Sequence, residues 1–279
     1  MTEAITLHTG FAHLTDLPCI SLRHGNATAV ISLYGAQLLS YQPSTEHEVL
    51  WLSPKASWHN GNAIRGGVPI CWPWFGPVTA AFNPDNIALP NHGLVRNRLW
   101  QLGSQQISSN GVSVNFQLEL NDLPHYSGTV RLLLSVTLND SLSLSLSCNS
   151  QIAQQAALHS YFKVGTIDSA VVRPLPGVYQ DKVSNSLVND AETALKINAE
   201  VDRIYPQSAN QLRLDSALGA VSISQAGHDA TVVWNPWQAK SSKMSDMAAE
   251  AYQKFVCVET ARLTTDASAL SVSQQLKLI

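Results

Sequence analysis

Charged residues are scarce in this chain of 279 residues, because Asp, Glu, Lys and Arg together make up only 13% of it. The formal net charge of −3 leaves no broad basic surface of the kind that nucleic acid or an anionic membrane requires. No apolar run approaches the roughly 20 residues that cross a bilayer, and the first residues lack the basic start and apolar stretch of a signal peptide. We therefore expect no nucleic-acid or membrane partner, and any basic chemistry must be local.

Cysteine is also rare, with four residues at positions 19, 71, 148 and 257 and no Cys-x-x-Cys pair. Cysteines scattered in this way provide no close grouping of zinc ligands. They are most simply buried free thiols in a reducing compartment, with the cytoplasm as the default location.

Several motifs that carry familiar chemistry are missing. The chain has no phosphate-binding P-loop, no Gly-x-Gly-x-x-Gly after a strand, and no His-Glu-x-x-His metal motif. It also lacks the Gly-x-Ser-x-Gly elbow of nucleophilic hydrolases. What remains is acid/base chemistry without a metal or other cofactor, or binding alone.

Alternation of apolar and polar residues with a period of two is the dominant pattern in the chain. Residues 112–120 carry Val, Phe and Leu on one face, and residues 142–148 alternate Leu with Ser. Both patterns predict half-buried strands. Many short strands in one chain favour an all-β protein, a large antiparallel β-sandwich with few short helices. We expect a single domain over residues 1–279, since no composition shift marks a boundary between two.

Two local elements can be predicted with their bounds. Residues 20–22 and 29–33 flank the turn His24-Gly25-Asn26 and predict a hairpin. Met and Ala residues at helical spacing predict one short helix over residues 242–253.

The segment that begins at Arg65 combines paired glycines, three prolines and two tryptophans within residues 65–77. Proline removes backbone donors, so no continuous helix fits there. One interpretation is a rigid, aromatic-walled loop that presents the Arg65 cation. The other is a packing loop whose Trp72, Trp74 and Phe75 close one end of the core.

Two residues have the properties of an acid/base pair. Glu259 follows the apolar strand FVCV, and a carboxylate in such a place must be paired, hydrogen-bonded or protonated. Its pKa can then be raised toward the range of a general base. His159 lies among apolar and aromatic residues, where an imidazole can change protonation near neutral pH. The alternative for Glu259 is a structural carboxylate that pairs with Arg262. The alternative for His159 is a core histidine whose hydrogen bonds are all made within the protein.

Further polar and aromatic residues allow two interpretations each. His92 stands in a Pro-Asn-His-Gly turn, and Arg96 can pair with a carboxylate or offer its planar fork to a phosphate. Asp202 can accept hydrogen bonds from sugar hydroxyls, or form an exposed ion pair or turn cap. Trp234 and Trp237 can stack on a sugar ring, or pack in the core.

Six motifs occur in chain order over nearly the whole sequence: IRGGVPICWPWFG, HGLVRNRLW, ALHSYF, DRIY, VVWNPW and FVCVE. Together with the early YGAQLLSYQP, they resemble the aldose 1-epimerase superfamily, and within it the glucose-6-phosphate 1-epimerase (hexose-6-phosphate mutarotase) branch. Each motif alone is weak, whereas the ordered set is diagnostic. The resemblance implies a galactose-mutarotase-like β-sandwich with the sugar in a cleft on one face.

The resemblance also implies the catalytic residues, which are His159 of HSYF and Glu259 of CVE. In the implied reaction, Glu259 removes the proton of the C1 hydroxyl while His159 donates a proton to the ring oxygen. The open aldehyde rotates and recloses on the other face. No metal or other cofactor takes part.

The residues implied to bind the substrate are Arg65, Asn91, His92, Arg96 and Asp202. Arg65 and Arg96 are implied to hold a phosphate through charge-assisted hydrogen bonds, with Arg98 or Lys163 as helpers. Asn91 stands where relatives commonly have glutamine. Because asparagine is one methylene shorter, a water molecule is expected to bridge it to the sugar.

The expected partner is therefore a small hexose 6-phosphate, bound by a monomer. The main alternative is a free-aldose 1-epimerase, in which the arginines have structural roles. A second alternative is a non-catalytic protein that binds carbohydrate or sugar phosphate on the same scaffold, since a fold alone does not establish activity. A glycoside hydrolase would need two facing carboxylates, for which Asp202 and Glu259 are the candidates.

Overall fold

The computed structural model describes residues 3–279 and is built mainly of β-strands. In chain order the strands are β1 (Ala4–Phe11), β2 (Leu14–His24), β3 (Ala27–Ser32), β4 (Leu38–Gln42), β5 (Ile70–Cys71), β6 (Gln101–Ser108), β7 (Gly111–Leu120), β8 (Val130–Leu138), β9 (Leu142–Cys148), β10 (Ala156–Leu158), β11 (Tyr161–Lys163), β12 (Val171–Arg173), β13 (Val178–Asp181), β14 (Ser186–Asn189), β15 (Leu195–Lys196), β16 (Val201–Pro206), β17 (Gln211–Ser216), β18 (Gly219–Ala226), β19 (Ala230–Asn235), β20 (Phe255–Arg262) and β21 (Leu270–Leu278). The helical segments are α1 (Trp237–Ser241) and 3-10 turns at His59–Gly61, Ile167–Ser169 and Ala251–Gln253.

The strands form three sheets in which neighbours pair antiparallel. A four-stranded sheet has the order β1-β2-β3-β4. An eight-stranded sheet has the order β14-β13-β16-β19-β20-β10-β5, and β11 also pairs with β20. A nine-stranded sheet has the order β15-β12-β17-β18-β21-β9-β8-β7-β6. One hydrophobic core takes buried side chains from all three sheets, which confirms the predicted antiparallel β-sandwich.

The nine-stranded sheet follows the alternation of the sequence closely. In β9 each Leu is buried and the Ser residues between them are only half buried. The same pattern holds in β7 and β8, and β8 pairs with β7 on one side and with β9 on the other. Strict alternation is the signature of a sheet with one face on the core, so both strands predicted from this pattern are confirmed.

The predicted hairpin is confirmed, because β2 and β3 pair antiparallel around the turn at Gly25. The predicted helix over 242–253 is wrong. The only α-helix in residues 3–279 is α1, which ends before that segment. Contacts with distant residues hold the segment instead. The carbonyl of Asp246 accepts a hydrogen bond from Ser53 Oγ, and Met247 packs in a cluster that contains several aromatic rings. Tertiary contacts have overridden the helical spacing.

The eight-stranded sheet has one face on the core and another that carries polar groups. Successive residues of a strand point to opposite faces. In β20, Val256 and Val258 join the main core, whereas Cys257 belongs to a separate cluster on the other face. Glu259 therefore lies on the same side as Cys257, away from the main core.

The loop that begins at Arg65 combines the two interpretations of its sequence. Trp72 and Trp74 are fully buried, and the indole N–H of Trp72 donates to Gln154 Oε1 at 2.9 Å. These two rings are packing residues. Phe75 and Arg65 instead reach the polar face described below, so the loop both closes the core and supplies functional groups.

Within residues 3–279, no helix has the length and apolar character needed to cross a membrane. All four cysteines are free and buried, as the scattered pattern predicts.

Candidate active site

His159 and Glu259 face each other across neighbouring strands of the eight-stranded sheet. Leu158 pairs with Thr260, and the same register continues into β11, which places His159 opposite Glu259. The imidazole Nε2 and the carboxylate Oε1 are 3.3 Å apart. Two residues that are distant in the chain are therefore brought together by the sheet itself.

Both side chains of this pair are buried but incompletely bonded. His159 is 6% exposed and Glu259 is 1% exposed. Within residues 3–279, neither His159 Nδ1 nor Glu259 Oε2 has a hydrogen-bond partner. Buried polar atoms without partners are uncommon in folded proteins, so these atoms indicate a place where a ligand supplies the missing contacts.

Burial shifts the two pKa values in opposite directions. It raises the pKa of Glu259 well above its ordinary value, and the negative charge of Asp202 adds to the rise. It lowers the pKa of His159 well below 6.5, and the nearby His92 and two arginines add to the fall. These opposite shifts favour the form of the pair in which the carboxyl is protonated and the imidazole is neutral.

Aromatic rings form the walls around the imidazole of His159. The ring of Tyr161 stacks on it with a centroid distance of 4.9 Å and an interplanar angle of 9°. Trp234 presents its edge at 6.2 Å, and Phe75 lies at 6.5 Å. Such walls hold the imidazole in one orientation and suit a ligand with an apolar ring face.

Arg65 is tied into the site by a carboxylate and a phenol. Its Nε donates to Asp246 Oδ2 at 3.0 Å, and its Nη2 lies 2.9 Å from the same oxygen in an ion pair. Its Nη1 donates to Tyr161 Oη at 2.8 Å. Two of the five guanidinium N–H groups are thereby used in hydrogen bonds, and Asp246 offsets the positive charge. The loop thus places the Arg65 cation beside Tyr161, with Asp246 as a partner that the sequence analysis did not name.

His92 lies beside His159, with a centroid distance of 5.5 Å between the two rings. The backbone N–H of Gly76 donates to His92 Nδ1 at 3.3 Å, which places the proton of the neutral ring on Nε2. Burial and the charges of two nearby arginines lower the pKa of His92 to about 3. His92 is therefore a neutral hydrogen-bond donor.

Arg96 and Asn91 lie at the rim of the site. Arg96 Nη2 donates to the carbonyl of Asn91 at 3.0 Å, and in the described part of the chain its guanidinium forms no ion pair. The Asn91 side chain is exposed. Arg98, expected as a helper, has its fork occupied by Asp122 at 3.0 and 2.8 Å, and Lys163 is exposed at the end of β11.

Asp202 lies on the polar face, opposite Trp234 in the pairing of β16 with β19. Burial raises its pKa above the ordinary value, and its charge in turn raises the pKa of Glu259. The alternative of an ion pair with its neighbour is wrong, because Arg203 points to the opposite face, 3.9 Å from Asp181.

Two further alternatives from the sequence are also decided. Arg262 does not hold Glu259, since it points to the other side of β20 and donates to Asp266 Oδ1 at 2.5 Å. Trp237 packs against Tyr252 at 5.1 Å and has no part in the site.

One group of donors has the composition of a metal site. His159, Cys257 and Glu259 are buried, and their ligand atoms lie within 4.8 Å of one another. Nitrogen, sulfur and oxygen donors of this kind can bind zinc. However, the charges of Arg65 and Arg96 reach His159 strongly enough to lower its pKa, and such a positive field opposes a divalent cation. The arrangement suits proton transfer better than metal binding.

Sequence reasoning missed three residues of the site: Tyr161, Asp246 and Cys257. Tyr161 and Cys257 each stand two positions from a predicted catalytic residue, so strand periodicity would have placed both on the same face. Asp246 lies in the segment that was predicted as a helix. The only sequence feature that could have indicated Asp246 was a carboxylate placed between two methionines of an apolar pattern.

Comparisons with known proteins agree with this geometry. A model of the family described as "Aldose 1-epimerase" matches residues 18–274. A protein of Escherichia coli (strain K12) named "Putative glucose-6-phosphate 1-epimerase" is 35% identical over 256 residues, which cover 89% of this chain and 84% of that protein. A protein of the same name from Haemophilus influenzae is 36% identical over 267 residues, covering 94% of this chain and 92% of that one.

A solved structure extends the similarity to the fold. The crystal structure of a "putative mutarotase" from Salmonella typhimurium superposes with a TM-score of 0.87 and 31% sequence identity, covering 98% of this chain and 96% of that one. Similarity in sequence and in fold thus spans nearly the whole chain. The protein belongs to the aldose 1-epimerase family.

Proposed function

We propose that this protein interconverts the α and β anomers of a hexose 6-phosphate, and that glucose 6-phosphate is a substrate. The observation that carries the proposal is the 3.3 Å contact between His159 Nε2 and Glu259 Oε1, on a polar sheet face with two arginines nearby. An acid and a base this close can serve the two oxygens of one hemiacetal carbon.

The reaction needs two proton transfers and no change of oxidation state. Glu259 accepts the proton of the C1 hydroxyl, the electron pair of that O–H bond forms the C1 carbonyl, and the C1–O5 bond breaks. O5 takes the electron pair of the broken bond and a proton from His159. After rotation about C1–C2 the steps run in reverse on the other face. Each positioned group typically contributes ~10²–10⁴-fold in rate.

The proton content of the pair fits this cycle. Burial raises the pKa of Glu259 and lowers the pKa of His159, so a protonated carboxyl beside a neutral imidazole is favoured before the sugar binds. Transfer along the 3.3 Å contact places that proton on His159 and leaves the carboxylate as the base. The pair then donates one proton and accepts another in each half of the reaction.

Arg96 is the stronger candidate for the phosphate group. Within the described chain its guanidinium has only the backbone carbonyl of Asn91 as a hydrogen-bond partner and no carboxylate partner, so its positive charge is uncompensated. Arg65 is already paired with Asp246, and it contributes its remaining N–H groups. Hydrogen bonds to a charged partner contribute about 1.5–3 kcal/mol each, which is sufficient to favour a phosphorylated sugar.

The remaining predicted residues are proposed to bind the sugar. His92, with its proton on Nε2, can donate to the oxygen that develops charge at C1 or O5. Asp202 can accept hydrogen bonds from ring hydroxyls. Asn91 lies at the exposed rim, where a bridging water fits better than a direct contact.

A free-aldose 1-epimerase is the second candidate, and one observation favours it. The bond between Arg65 and Asp246 neutralises one of the two proposed phosphate ligands. In that case Arg65 would position Tyr161, and Arg96 alone would face solvent at the rim.

We also propose that the protein acts as a monomer in the cytoplasm. Four free buried thiols fit a reducing compartment. A single domain over residues 1–279 likewise stays a prediction.

The test is anomer exchange measured by magnetization-transfer NMR on glucose 6-phosphate, galactose 6-phosphate and free glucose. We expect fast exchange of a hexose 6-phosphate in the presence of the protein, and slower exchange of free glucose. Comparable rates on all three sugars would favour the free-aldose alternative. Binding of the sugar without any exchange would establish the non-catalytic alternative.

Glu259→Gln is expected to reduce enzymatic exchange to near the spontaneous rate, because the amide cannot accept the C1 proton. Glu119→Gln is a matched control: Glu119 lies on β7 and pairs with Arg131 at the exposed surface. Near-normal exchange in Glu259→Gln would refute the catalytic assignment.

A further inference from the structure

A continuous network of polar side chains crosses the core directly behind the site. Its members are all buried, and they are Ser160, Ser208, Gln225, Thr231, Thr260 and Gln274. Polar groups in a core are costly unless they are hydrogen-bonded. Apolar side chains would fill this part of the core without needing hydrogen-bond partners. The polar network therefore indicates a role beyond packing.

Two members of the network are chain neighbours of the catalytic pair. Ser160 follows His159, and Thr260 follows Glu259. Because successive residues of a strand point to opposite faces, both hydroxyls point into the core while the imidazole and the carboxylate point into the site. A hydrogen bond that fixes either hydroxyl therefore also restrains the backbone of the adjacent catalytic residue.

The backbone ladder is interrupted at the catalytic histidine. Strand β10 ends at Leu158, and β11 begins at Tyr161. Between them the N–H of Ser160 donates back to the carbonyl of Leu158 at 3.0 Å instead of across to β20. The N–H of Val258 still donates across to the carbonyl of Ser160 at 3.1 Å, and the N–H of His159 donates to the carbonyl of Pro69 at 3.0 Å on the other side. One backbone bond to β20 is therefore missing beside the catalytic histidine.

The side chain of Gln274 spans the interruption from the opposite sheet. It lies on β21 of the nine-stranded sheet, and its Oε1 accepts a hydrogen bond from Ser160 Oγ at 2.5 Å. Its Nε2 donates to Thr260 Oγ1 at 2.8 Å and to the Val258 carbonyl at 3.3 Å. One carboxamide therefore bonds both catalytic segments at the point where a backbone bond between them is missing.

The rest of the network fixes the orientation of that carboxamide. Thr260 Oγ1 donates to Gln225 Oε1 at 3.1 Å, and Gln225 Nε2 donates to Thr231 Oγ1 at 2.7 Å. Reversing the Gln274 amide would set its oxygen against the Val258 carbonyl, which is also an acceptor. Only one arrangement satisfies all donors and acceptors.

We infer that Gln274 is a positioning residue that sets the separation of His159 and Glu259 through Ser160 and Thr260. The catalytic consequence of this inference rests on the proposed function. A proton donor and acceptor must stay in register with O5 and O1, and a displacement of about 1 Å far from the chemistry can cost up to ~10²-fold in rate.

The first test is Gln274→Met, which keeps side-chain length and removes the hydrogen bonds. We expect kcat to fall by roughly 10- to 100-fold, with KM changed by less than about twofold. Gln154→Met is the matched control, because Gln154 is equally buried and its carboxamide bonds Trp72 and two backbone carbonyls instead. Equal kcat in the two variants would overturn the inference.

Two further variants separate positioning from loss of stability. Gln274→Glu is expected to restore most of kcat, since a buried protonated carboxyl offers one acceptor and one donor in the same places. Ser160→Ala removes a single hydroxyl and should reduce kcat in the same direction, which keeps the inference testable if Gln274→Met does not fold. Unchanged kcat in Ser160→Ala would contradict it.

A measurement without substrate distinguishes this inference from the proposed function. The ¹⁵N shifts of the His159 ring report its contact with Glu259, and we expect them to move in Gln274→Met but not in Gln154→Met. Such a shift in a protein that shows no anomer exchange would support the positioning role and reject the epimerase proposal. Identical ring shifts in both variants would reject the positioning role.

Discussion

The two large sheets of this protein are built in contrasting ways. The nine-stranded sheet has long regular strands, such as β7 with ten residues and β8 and β21 with nine each. On the side where the site lies, the eight-stranded sheet uses β5 with two residues and β10 and β11 with three each. The site lies where the short strands interrupt the ladder.

The contrast separates stability from chemistry. Long strands with strict alternation bury a continuous apolar face, and that burial is the main stabilising term in folding. His159 lies in the interruption between the short strands β10 and β11, and it faces Glu259 within the longer strand β20. The regular sheet then restrains the irregular one through Gln274. Function in this fold therefore depends on one sheet being held by the other.

The largest expected effect lies in the regular sheet. Leu146 on β9 is fully buried, so Leu146→Ala should lower the free energy of unfolding by about 2–5 kcal/mol. We expect kcat of the remaining folded protein to be unchanged. Urea unfolding combined with an anomer-exchange assay well below the melting temperature checks both statements. A large fall in kcat would show that packing in the nine-stranded sheet also controls the chemistry on the eight-stranded sheet.

The next effect divides the two arginines of the site. Arg96→Ala should raise KM for glucose 6-phosphate by about 10- to 100-fold through loss of charge-assisted bonds, and it should leave free glucose unaffected. Arg65→Ala should raise that KM as well and also lower kcat, because Arg65 holds Tyr161, which stacks on His159. Steady-state kinetics on both sugars provide the comparison. Equal effects of each variant on both sugars would argue against a phosphate site.

A smaller effect is expected on stability at the catalytic carboxyl. Glu259→Gln should raise the free energy of unfolding at neutral pH by about 0.5–2 kcal/mol, since functional groups are often stored at a cost to stability. The folded-state pKa of Glu259 lies above the ordinary 4.5. Stability from this group is therefore complete below pH 4.5 and is lost as pH rises toward the folded pKa.

The advantage of the Gln variant over the native protein should accordingly widen as the pH rises from 5 toward the folded pKa of Glu259. Thermal unfolding of both proteins at several pH values measures it. A constant difference across this range would mean that Glu259 does not titrate as its burial indicates.

The smallest effect concerns the pH profile of the reaction. Asp202→Asn removes a negative charge that raises the pKa of Glu259, so that pKa should fall. The one-proton form of the pair is then lost at lower pH, and the basic limb of the kcat profile should move downward. If the basic limb moves to higher pH or stays in place, Asp202 does not raise the pKa of Glu259.

Much of the site was predictable because its residues lie in sequence motifs that resemble those of one family and occur in the same order. His159, Glu259, His92 and Asp202 were named from the sequence, and the structure brings them to one sheet face. Asp246 was not, because its role depends on a contact with Arg65 that no local pattern encodes. The helix predicted over its segment failed for the same reason.

The sequence by itself determined the all-β architecture, because the period-two pattern of strands such as β9 can bury its apolar side chains only in a sheet. It also determined which residue types were available for acid/base chemistry. Only the tertiary structure decided the register that sets His159 opposite Glu259, the pairing of Arg65 with Asp246, and the polar network behind them. The physical reason is that hydrogen bonding and burial between distant segments depend on three-dimensional distance, which alternation along the chain does not specify.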